Sequence, residues 1–545
     1  MANIRELIRH SSHHLGGRAV LMVLGFVSFP IFTRIFSVAD YGTINLVLQT
    51  ALIFTVLSKA GLQNSVQRFE LKFAQQGAAQ KKGFFFTVFF GNAAVTAACA
   101  AVFVIGVMAV PAGWLPPSAK KMLLLGCVLF VVRAVRAMYA NMLQVEGKTL
   151  AYNVLEVAIK IATVAAICAL ALRWQRTALA FLLGLVIAEA GALLVLFPEI
   201  VRRTGTDVSG FDAKLLRNLI QFGLPLMWAE LAWVVLDSGD RFLLQFFRGT
   251  EAVGYYAAAY NISLCAQDVI LTPLNMAFFP VCVEIWTKHG EEETKEFLGR
   301  TFAYFVLAAA WVVAMSTGLS DNVIVLLASR KYLQAQSLLP WLVAGLTICA
   351  SQVFFRASLM LRRQPMKVAY ATALAAIFNV GLNIVLIPWI GILGAAIATF
   401  LSYAFWIILM ARAAFKAFRF PISYSAIGRY LLAGATVACA LRLIHIENTI
   451  ASLLVRLLVG SIGYPLILMV FDRDVRELVQ RYILPAGLVQ KRYGRAPDSL
   501  SLSGRAQGET AAVFTTSIVQ DSVARYGKKS LADGTAGSRE GINEP

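Results

Sequence analysis

Charged side chains are scarce in this sequence. Only 14% of its 545 residues are Asp, Glu, Lys or Arg, whereas 59% are hydrophobic. A soluble chain of this length needs more charge to cover its surface. This composition excludes a soluble enzyme or binding domain for most of the chain, so the apolar runs must lie in a membrane.

Cysteine and long polar loops are also in short supply. The seven cysteines are an odd number and none forms a Cys-x-x-Cys pair, so we expect neither a disulfide framework nor a zinc site. No nucleotide-binding loop is complete, and the sequence predicts no cofactor, metal or catalytic residue. The outer loops are short, which counts against an oligosaccharide polymerase or ligase, since those enzymes typically need a sizeable outer loop.

The apolar runs predict an all-α polytopic membrane protein. One bilayer crossing takes about 20 apolar residues, and on that basis we expect about 14 transmembrane helices. Their predicted starts are Leu15, Tyr41, Gly83, Met122, Tyr152, Ala178, Asn218, Ala252, Thr301, Ala335, Met366, Ile392, Tyr424 and Ile450.

Acidic residues are few relative to basic ones, which gives a formal net charge of +19. The Lys and Arg residues are spread over short loops and a tail, so the charge does not indicate a nucleic-acid partner. Loops that follow even-numbered helices carry more of them. The positive-inside rule therefore places both termini in the cytoplasm.

An internal repeat organises the helices. The segment FTRIFSVADYGTINLVLQT resembles LLQFFRGTEAVGYYAAAYNIS and aligns Gly42 with Gly254. We expect two six-helix bundles related by a parallel pseudo-two-fold repeat, plus two extra helices. The expected segments are a cytoplasmic N-terminal segment (1–14), the bundles (15–198 and 218–413) with a cytoplasmic linker (199–217), helices 13 and 14 (424–471), an amphipathic interfacial helix (472–495) and a disordered cytoplasmic tail (496–545).

Cationic residues inside the spans are the first candidate site, because ionisable groups in a bilayer are costly and usually face an interior or pair up. Under the predicted topology they all lie between the bilayer middle and the cytoplasmic end, and we expect them to bind an anionic substrate. Snorkelling or structural ion pairing is the alternative, and Lys160 can pair with Glu156 four residues earlier. The set is Arg18, Arg133, Arg136, Lys160 and Arg356.

The seventh helix supplies the acidic candidates, Glu230, Asp237 and Asp240, together with Arg241. Asp237 can pair with Arg241 at four-residue spacing, and a structural pair between Asp240 and Arg241 is favoured. Glu230 has no obvious local partner. We therefore predict a role for it in proton or cation coupling. Glu189 is a further isolated acid.

Two asparagines mark the segment FNVGLNIVLIPWIGILGAAIATFLSY at 378–403. Asn379 and Asn383 share one helical face, where lipid could not satisfy their amides. Pro388 and Gly391 predict two helices joined by a very short turn. We expect the asparagines to contact the substrate.

Four motifs occur together in the order FGLP at 222–225, Asp240-Arg241, VGYYAAAYNIS from Val253, and the asparagine segment. Their order resembles the polysaccharide-exporter, O-antigen-flippase-like branch of the multidrug/oligosaccharidyl-lipid/polysaccharide (MOP) exporter superfamily. The resemblance implies two bundles around a central cavity and alternating-access flipping of an undecaprenyl-diphosphate-linked oligosaccharide across a bacterial inner membrane.

The same resemblance implies particular partners: the lipid-linked oligosaccharide as substrate, membrane lipids, and a polysaccharide polymerase or other assembly components. A cation-coupled small-molecule exporter of the multidrug type is the alternative within transport. A cavity dominated by arginine rather than carboxylates favours the anionic substrate.

Overall fold

The computed structural model describes residues 2–111, 113, 116–205, 211–362, 364–472 and 475–476, and it leaves out the side chains of 2–15, 18, 269–277 and 279. Helix dominates this part of the chain, which contains no β-strand. The all-α prediction is confirmed. The predicted tail (496–545) and all but three residues of the interfacial helix lie outside the described residues.

Short turns join most of the helices, which therefore run up and down in alternation. The helices are α1 (Ala2–Ile35), α2 (Val38–Lys59), α3 (Leu62–Gln75), α4 (Ala78–Ala109), α5 (Pro117–Val145), α6 (Thr149–Arg173), α7 (Ala178–Thr204), α8 (Ala213–Arg248), α9 (Thr250–His289), α10 (Glu291–Gly318), α11 (Ser320–Leu327), a 3₁₀ helix (Arg330–Ser337), α12 (Leu339–Ala350), α13 (Gln352–Leu361), α14 (Pro365–Ile390), α15 (Ile392–Ala417), α16 (Tyr424–Leu443) and α17 (Thr449–Phe471).

In the described chain, twelve helices are long and apolar enough to cross a membrane, counting α2 with α3 and α12 with α13 as single spans. The apolar part of α1, Ala19–Ile35, is shorter, so the predicted count of fourteen is not confirmed. Twelve of the predicted starts lie within five residues of an observed start. The first and ninth helices begin earlier because polar turns precede their apolar runs, such as Glu291–Glu293 at the start of α10.

The two halves of the chain pack their helices in the same order. In the first half α1 lies on α6, α2 on α5, and α7 on both α5 and α6. The second half repeats these pairs as α8 on α14, α9 on α12, and α15 on both α12 and α14. This pairing supports the predicted two-bundle architecture, whose residue boundaries stay a prediction. Helix α16 packs on α10 and on α17, outside the second bundle.

The bundles touch near both ends of the helices. We call the end at which α1 ends the upper end, and the end at which α7 ends the lower end. Near the upper end, Gly42 of α2 lies so close to Thr250 and Gly254 of α9 that a Cβ would overlap main-chain atoms. Toward the lower end, Gly61 and Gly223 make an equally close contact between α3 and α8. The contacts are possible because glycine has no side chain.

Candidate functional site

A buried cluster of arginines and glutamates lies inside the first bundle. Arg133 and Arg136 on α5 both reach Glu189 on α7, with nitrogen–oxygen distances of 3.1 and 2.8 Å. Arg136 also binds Glu156 on α6. The side chain of Arg133 is 29% exposed, whereas that of Glu189 is only 5% exposed. Glu189 was predicted to be isolated, and that prediction is wrong because three-residue spacing turns both arginines toward it.

Lys160 belongs to the same region, since it lies close enough to Arg133 for the two side-chain charges to interact. It is half-buried on α6. The predicted Lys160–Glu156 pair does not form, because Glu156 binds Arg136 instead. Among the described residues Lys160 has no ion pair or hydrogen bond. The cluster therefore holds three cations and two carboxylates, which leaves one positive charge in excess.

The remaining predicted cations lie apart. The side chain of Arg18 is outside the described part of the structure, although its neighbour Gly17 packs directly against Asn153 of α6. Arg356 on α13 is exposed and forms no ion pair within the described chain. Convergence of cations from the two halves therefore stays a prediction.

Glu230 has partners that its own helix does not supply. Its carboxylate binds Lys59 Nζ at 2.9 Å and accepts a hydrogen bond from Gln63 at 2.8 Å. Both partners flank the kink between α2 and α3, so the pair bridges the two bundles. Nearby, the Ser65 hydroxyl donates to the Leu219 carbonyl at 2.7 Å. As predicted, Glu230 has no local partner among the described residues; its two partners lie more than 160 residues away in sequence.

A second buried cluster lies inside the C-terminal bundle. Arg241 Nη1 binds the Asp240 carboxylate at 3.1 Å, as predicted for a structural pair. It also donates to the main-chain oxygen of Asp237 at 2.8 Å, whereas the predicted pair with the Asp237 carboxylate is not formed. The Arg241 guanidinium lies 4.2 Å from the ring centre of Tyr260, close enough for a cation–π contact.

Tyrosine hydroxyls hold the two carboxylates of this cluster. Tyr260 donates to Asp237 at 2.5 Å, and Tyr256 and Thr399 donate to Asp240. Sequence reasoning did not assign these residues a role. A signal was present, because the four-residue spacing of the two tyrosines places both on one face of α9.

The two asparagines are fully buried between α14 and α15. Asn379 donates to the Ser402 hydroxyl at 3.2 Å, and Asn383 donates to the main-chain and side-chain oxygens of Asn379. Both side chains are enclosed in this conformation, and their predicted contact with the substrate stays a prediction. The Asn379–Ser402 hydrogen bond joins the two helices. The short turn between those helices is Gly391 alone, and α14 continues two residues beyond Pro388.

The arrangement in the first bundle is suited to binding an anion. Arginine binds carboxylates and phosphates through the same paired N–H donors. A diphosphate could therefore replace Glu189 at Arg133 and Arg136, with Lys160 supplying the further charge.

Comparison with known proteins places this fold. A family model described as "Polysaccharide biosynthesis protein" matches residues 7–286. The uncharacterized membrane protein MJ1068 of Methanocaldococcus jannaschii is 26% identical over 35% of this chain and 38% of its own length. The probable flippase AglR of Haloferax volcanii is 29% identical over 47% of this chain and 56% of its own length. The chain thus spans about half or less of these curated relatives.

Solved structures show the same architecture. A lipid II flippase MurJ in an inward closed conformation matches with a TM-score of 0.65 at 13% identity, covering 86% of this chain and all of that one. An inward-facing multidrug resistance MATE transporter of the MOP superfamily matches with a TM-score of 0.51 at 15% identity, covering 77% and 99%. At such identities the likeness concerns the fold alone.

The family match covers just over half of the chain, and the helical packing agrees with the MOP fold. The resemblance found in the sequence motifs is thereby confirmed. This chain belongs to the polysaccharide biosynthesis protein family and has the fold of the MOP exporter superfamily.

Proposed function

We propose that this chain is a flippase that moves an undecaprenyl-diphosphate-linked oligosaccharide from the cytoplasmic to the periplasmic leaflet of a bacterial inner membrane. The upper end then faces the periplasm, and both termini face the cytoplasm. The observation that carries the proposal is the cluster around Arg133 and Arg136, where cations outnumber carboxylates inside a membrane bundle. A diphosphate is an anion that this excess charge can accept.

Movement between the bundles fits alternating access. The bundles touch near both ends through glycine contacts, and a substrate headgroup can enter or leave only where one contact opens. The polyprenyl chain stays in lipid, so no covalent chemistry is needed. Transport then draws on an ion gradient, the membrane potential or consumption of the product, since the sequence carries no nucleotide-binding loop.

The Lys59–Glu230 ion pair links movement between the bundles to the binding of a proton or a cation. The two side chains come from different bundles, at a separation of 2.9 Å. Opening of the lower contact separates them and exposes a carboxylate that can take up a proton or a cation. Glu230 therefore stays our coupling candidate, for a reason that the sequence did not supply.

A cation-coupled small-molecule exporter is the second candidate. The C-terminal cluster favours it, because its two carboxylates, Asp237 and Asp240, outnumber its one cation, Arg241. A buried excess of negative charge is suited to holding a coupling ion. Reconstituted protein that moves a small cationic dye but not a lipid-linked oligosaccharide would establish this candidate.

The test of the flippase uses a deletion strain complemented with variants. Arg133→Ala, Arg136→Ala and Arg356→Ala should cause lipid-linked oligosaccharide to accumulate, and Arg136→Lys should do so less, because an ammonium lacks the paired donors of a guanidinium. Arg202→Ala is the matched control, since that arginine is 77% exposed and pairs with Glu199 outside the cluster. Membrane abundance is measured by immunoblot for every variant.

A double variant separates substrate binding from structural pairing. Arg136→Ala alone leaves Glu189 and Glu156 short of a partner, which destabilises the bundle for any role of the arginine. Arg136→Gln/Glu189→Gln removes one charge of each sign and should recover the part of the stability that is lost at Glu189. If the arginine binds diphosphate, the double variant is abundant yet defective in export. Normal export by this variant and by the three alanine variants would contradict the proposal.

A further inference from the structure

A shallow polar cavity of about 610 Å³, broadly open to the outside, lies at the upper end of the C-terminal bundle. It lies between the end of α8, the start of α9, the turn from α14 to α15 and the 3₁₀ helix. Its volume falls in the usual range for small-ligand sites, which is roughly 300 to 1,000 Å³. The polar and aromatic lining residues are Arg248, Glu251, Tyr255, Gln334 and Trp389.

The wall that carries Trp389 is fixed in place. Arg248 at the end of α8 donates from Nε and Nη2 to the Ile387 carbonyl, both at 3.2 Å, and from Nη2 to the Pro388 carbonyl at 2.6 Å. These carbonyls belong to the last turn of α14, and the Ile387 carbonyl also accepts the main-chain N–H of Gly391 at 3.0 Å. The tryptophan side chain that follows them is 80% exposed. The site thus includes an exposed aromatic ring.

The lining combines the donors and acceptors that a sugar requires. Glu251 accepts from the Tyr255 hydroxyl at 3.0 Å through Oε1, and its second oxygen has no partner in the described chain. Gln334 is exposed and likewise makes no hydrogen bond among the described residues. A hexose ring offers an apolar C–H face to an indole and hydroxyls to carboxylate, amide and guanidinium groups.

The net charge of the lining residues indicates whether the cavity suits a glycan or a lipid phosphate. The cavity carries one guanidinium and one carboxylate, Arg248 and Glu251, so it has no excess positive charge. Two donor nitrogens of the guanidinium are already committed to carbonyl oxygens. A neutral ligand suits these groups better than a phosphate does.

We propose that this cavity is an exit-side subsite that binds the sugar portion of the transported lipid. The inference deepens the proposed function and rests on it. Trp389 stacks on a sugar ring, while Gln334 and Glu251 bind hydroxyl groups. This site is separate from the arginine cluster in the first bundle, which binds the diphosphate.

A matched tryptophan tests the simpler role of a membrane-interface anchor, which aromatic residues often fill. Trp174 follows α6, the helix whose packing corresponds to that of α14, and its side chain is 52% exposed. It does not line the cavity. If Trp389 were only an anchor, Trp174→Ala and Trp389→Ala would have similar effects.

The experiment uses full-length protein in proteoliposomes with two substrates. One is the lipid-linked oligosaccharide that accumulates in the deletion strain, and the other is undecaprenyl diphosphate without sugar. We expect Trp389→Ala and Gln334→Ala to slow translocation of the first substrate roughly three- to tenfold, as the loss of one aromatic contact implies. Translocation of the second should not change. Trp174→Ala should leave both unchanged.

Equal slowing of both substrates would assign Trp389 to lipid anchoring, and unchanged rates for both would leave the cavity without a role; either result overturns the inference. A wild-type protein that translocates neither substrate contradicts the proposed function instead. The subsite is then decided by saturation-transfer NMR with the free oligosaccharide released by mild acid. Binding by wild type and by Trp174→Ala, but not by Trp389→Ala, supports the subsite, and absence of binding by wild type overturns it.

Discussion

The contact between Gly61 and Gly223 allows the closure of the lower end to be perturbed by a single methyl group. In Gly223→Ala the added Cβ would lie 2.5 Å from the Gly61 carbonyl oxygen, 2.6 Å from its carbon and 3.0 Å from Cα. All three are main-chain atoms, so no side-chain rotation can relieve the overlap. The bundles must move apart by about 1 Å to reach ordinary van der Waals contact.

The expected change in the free energy of the closed conformation follows from the hydrogen bonds that this movement weakens. Around the glycine contact lies the bridge from Glu230 to Lys59 and Gln63, which consists of two hydrogen bonds. Such bonds contribute roughly 1 kcal/mol each, and more where a charge is involved. We expect the closed conformation to lose at least about 2 kcal/mol relative to the open one, which is a roughly 30-fold shift in population. Alanine favours helix over glycine, so the shift cannot come from a weaker α8.

Ser65→Cys provides the reporter, because this small side chain is fully buried at the contact. In a cysteine-free background in nanodiscs, Gly223→Ala should accelerate labelling of that thiol by a membrane-impermeant maleimide about 30-fold. Gly239→Ala is the control on the same helix, since its nearest neighbour, a Val235 methyl, is 3.6 Å away. Equal labelling rates in the two alanine variants would refute closure by this contact.

Two further predictions concern stability. Asp240→Asn removes the charge that faces buried Arg241 and should lower the unfolding free energy by about 3 kcal/mol, whereas Asp240→Asn/Arg241→Met should lose less; melting in detergent compares them. At the lower end, burial opposes ionisation of Glu146, but hydrogen bonds from Lys148 and Lys81 and the charge of Arg203 lower its pKa from the ordinary 4.5 to about 2. Ionised Glu146 therefore stabilises the fold fully above pH 4.5, and this stabilisation is lost as the pH falls to about 2. After solvent screening it is roughly 1–2 kcal/mol. In a pH series, the melting temperature of Glu146→Gln should fall less at acid pH than that of the wild type.

The helices were predictable because a membrane imposes length and apolarity on them directly. The turn at Gly391 and the start of α15 agree with the sequence prediction, since the apolar run breaks there without polar extensions. The starts of α1 and α10 were missed because helix propensity continues beyond the bilayer, where hydropathy carries no signal. The number of membrane spans that is counted depends on where such helices are taken to begin.

Partners within the candidate site were predictable only at short sequence separation. Local spacing correctly indicated the Asp240–Arg241 pair, but it also predicted a Lys160–Glu156 pair that does not form. Partners of the arginines and of Glu230 lie on other helices, and helix rotation decides which of them meet. The periodicity of side chains along one helix gives no information on how that helix is rotated relative to its neighbours.

Both glycine contacts between the bundles involve the same stretch of chain. Gly42 lies near the start of α2, and Gly61 lies at the kink before α3, where Ala60 also has a positive φ of 46°. Helix α2 is thus a single rigid element with one contact to the other bundle near each end. A rigid helix tilts about one contact more easily than it separates from both contacts at once. Opening of one contact therefore keeps the other closed. This linkage would prevent a continuous pore without any side chain acting as a plug.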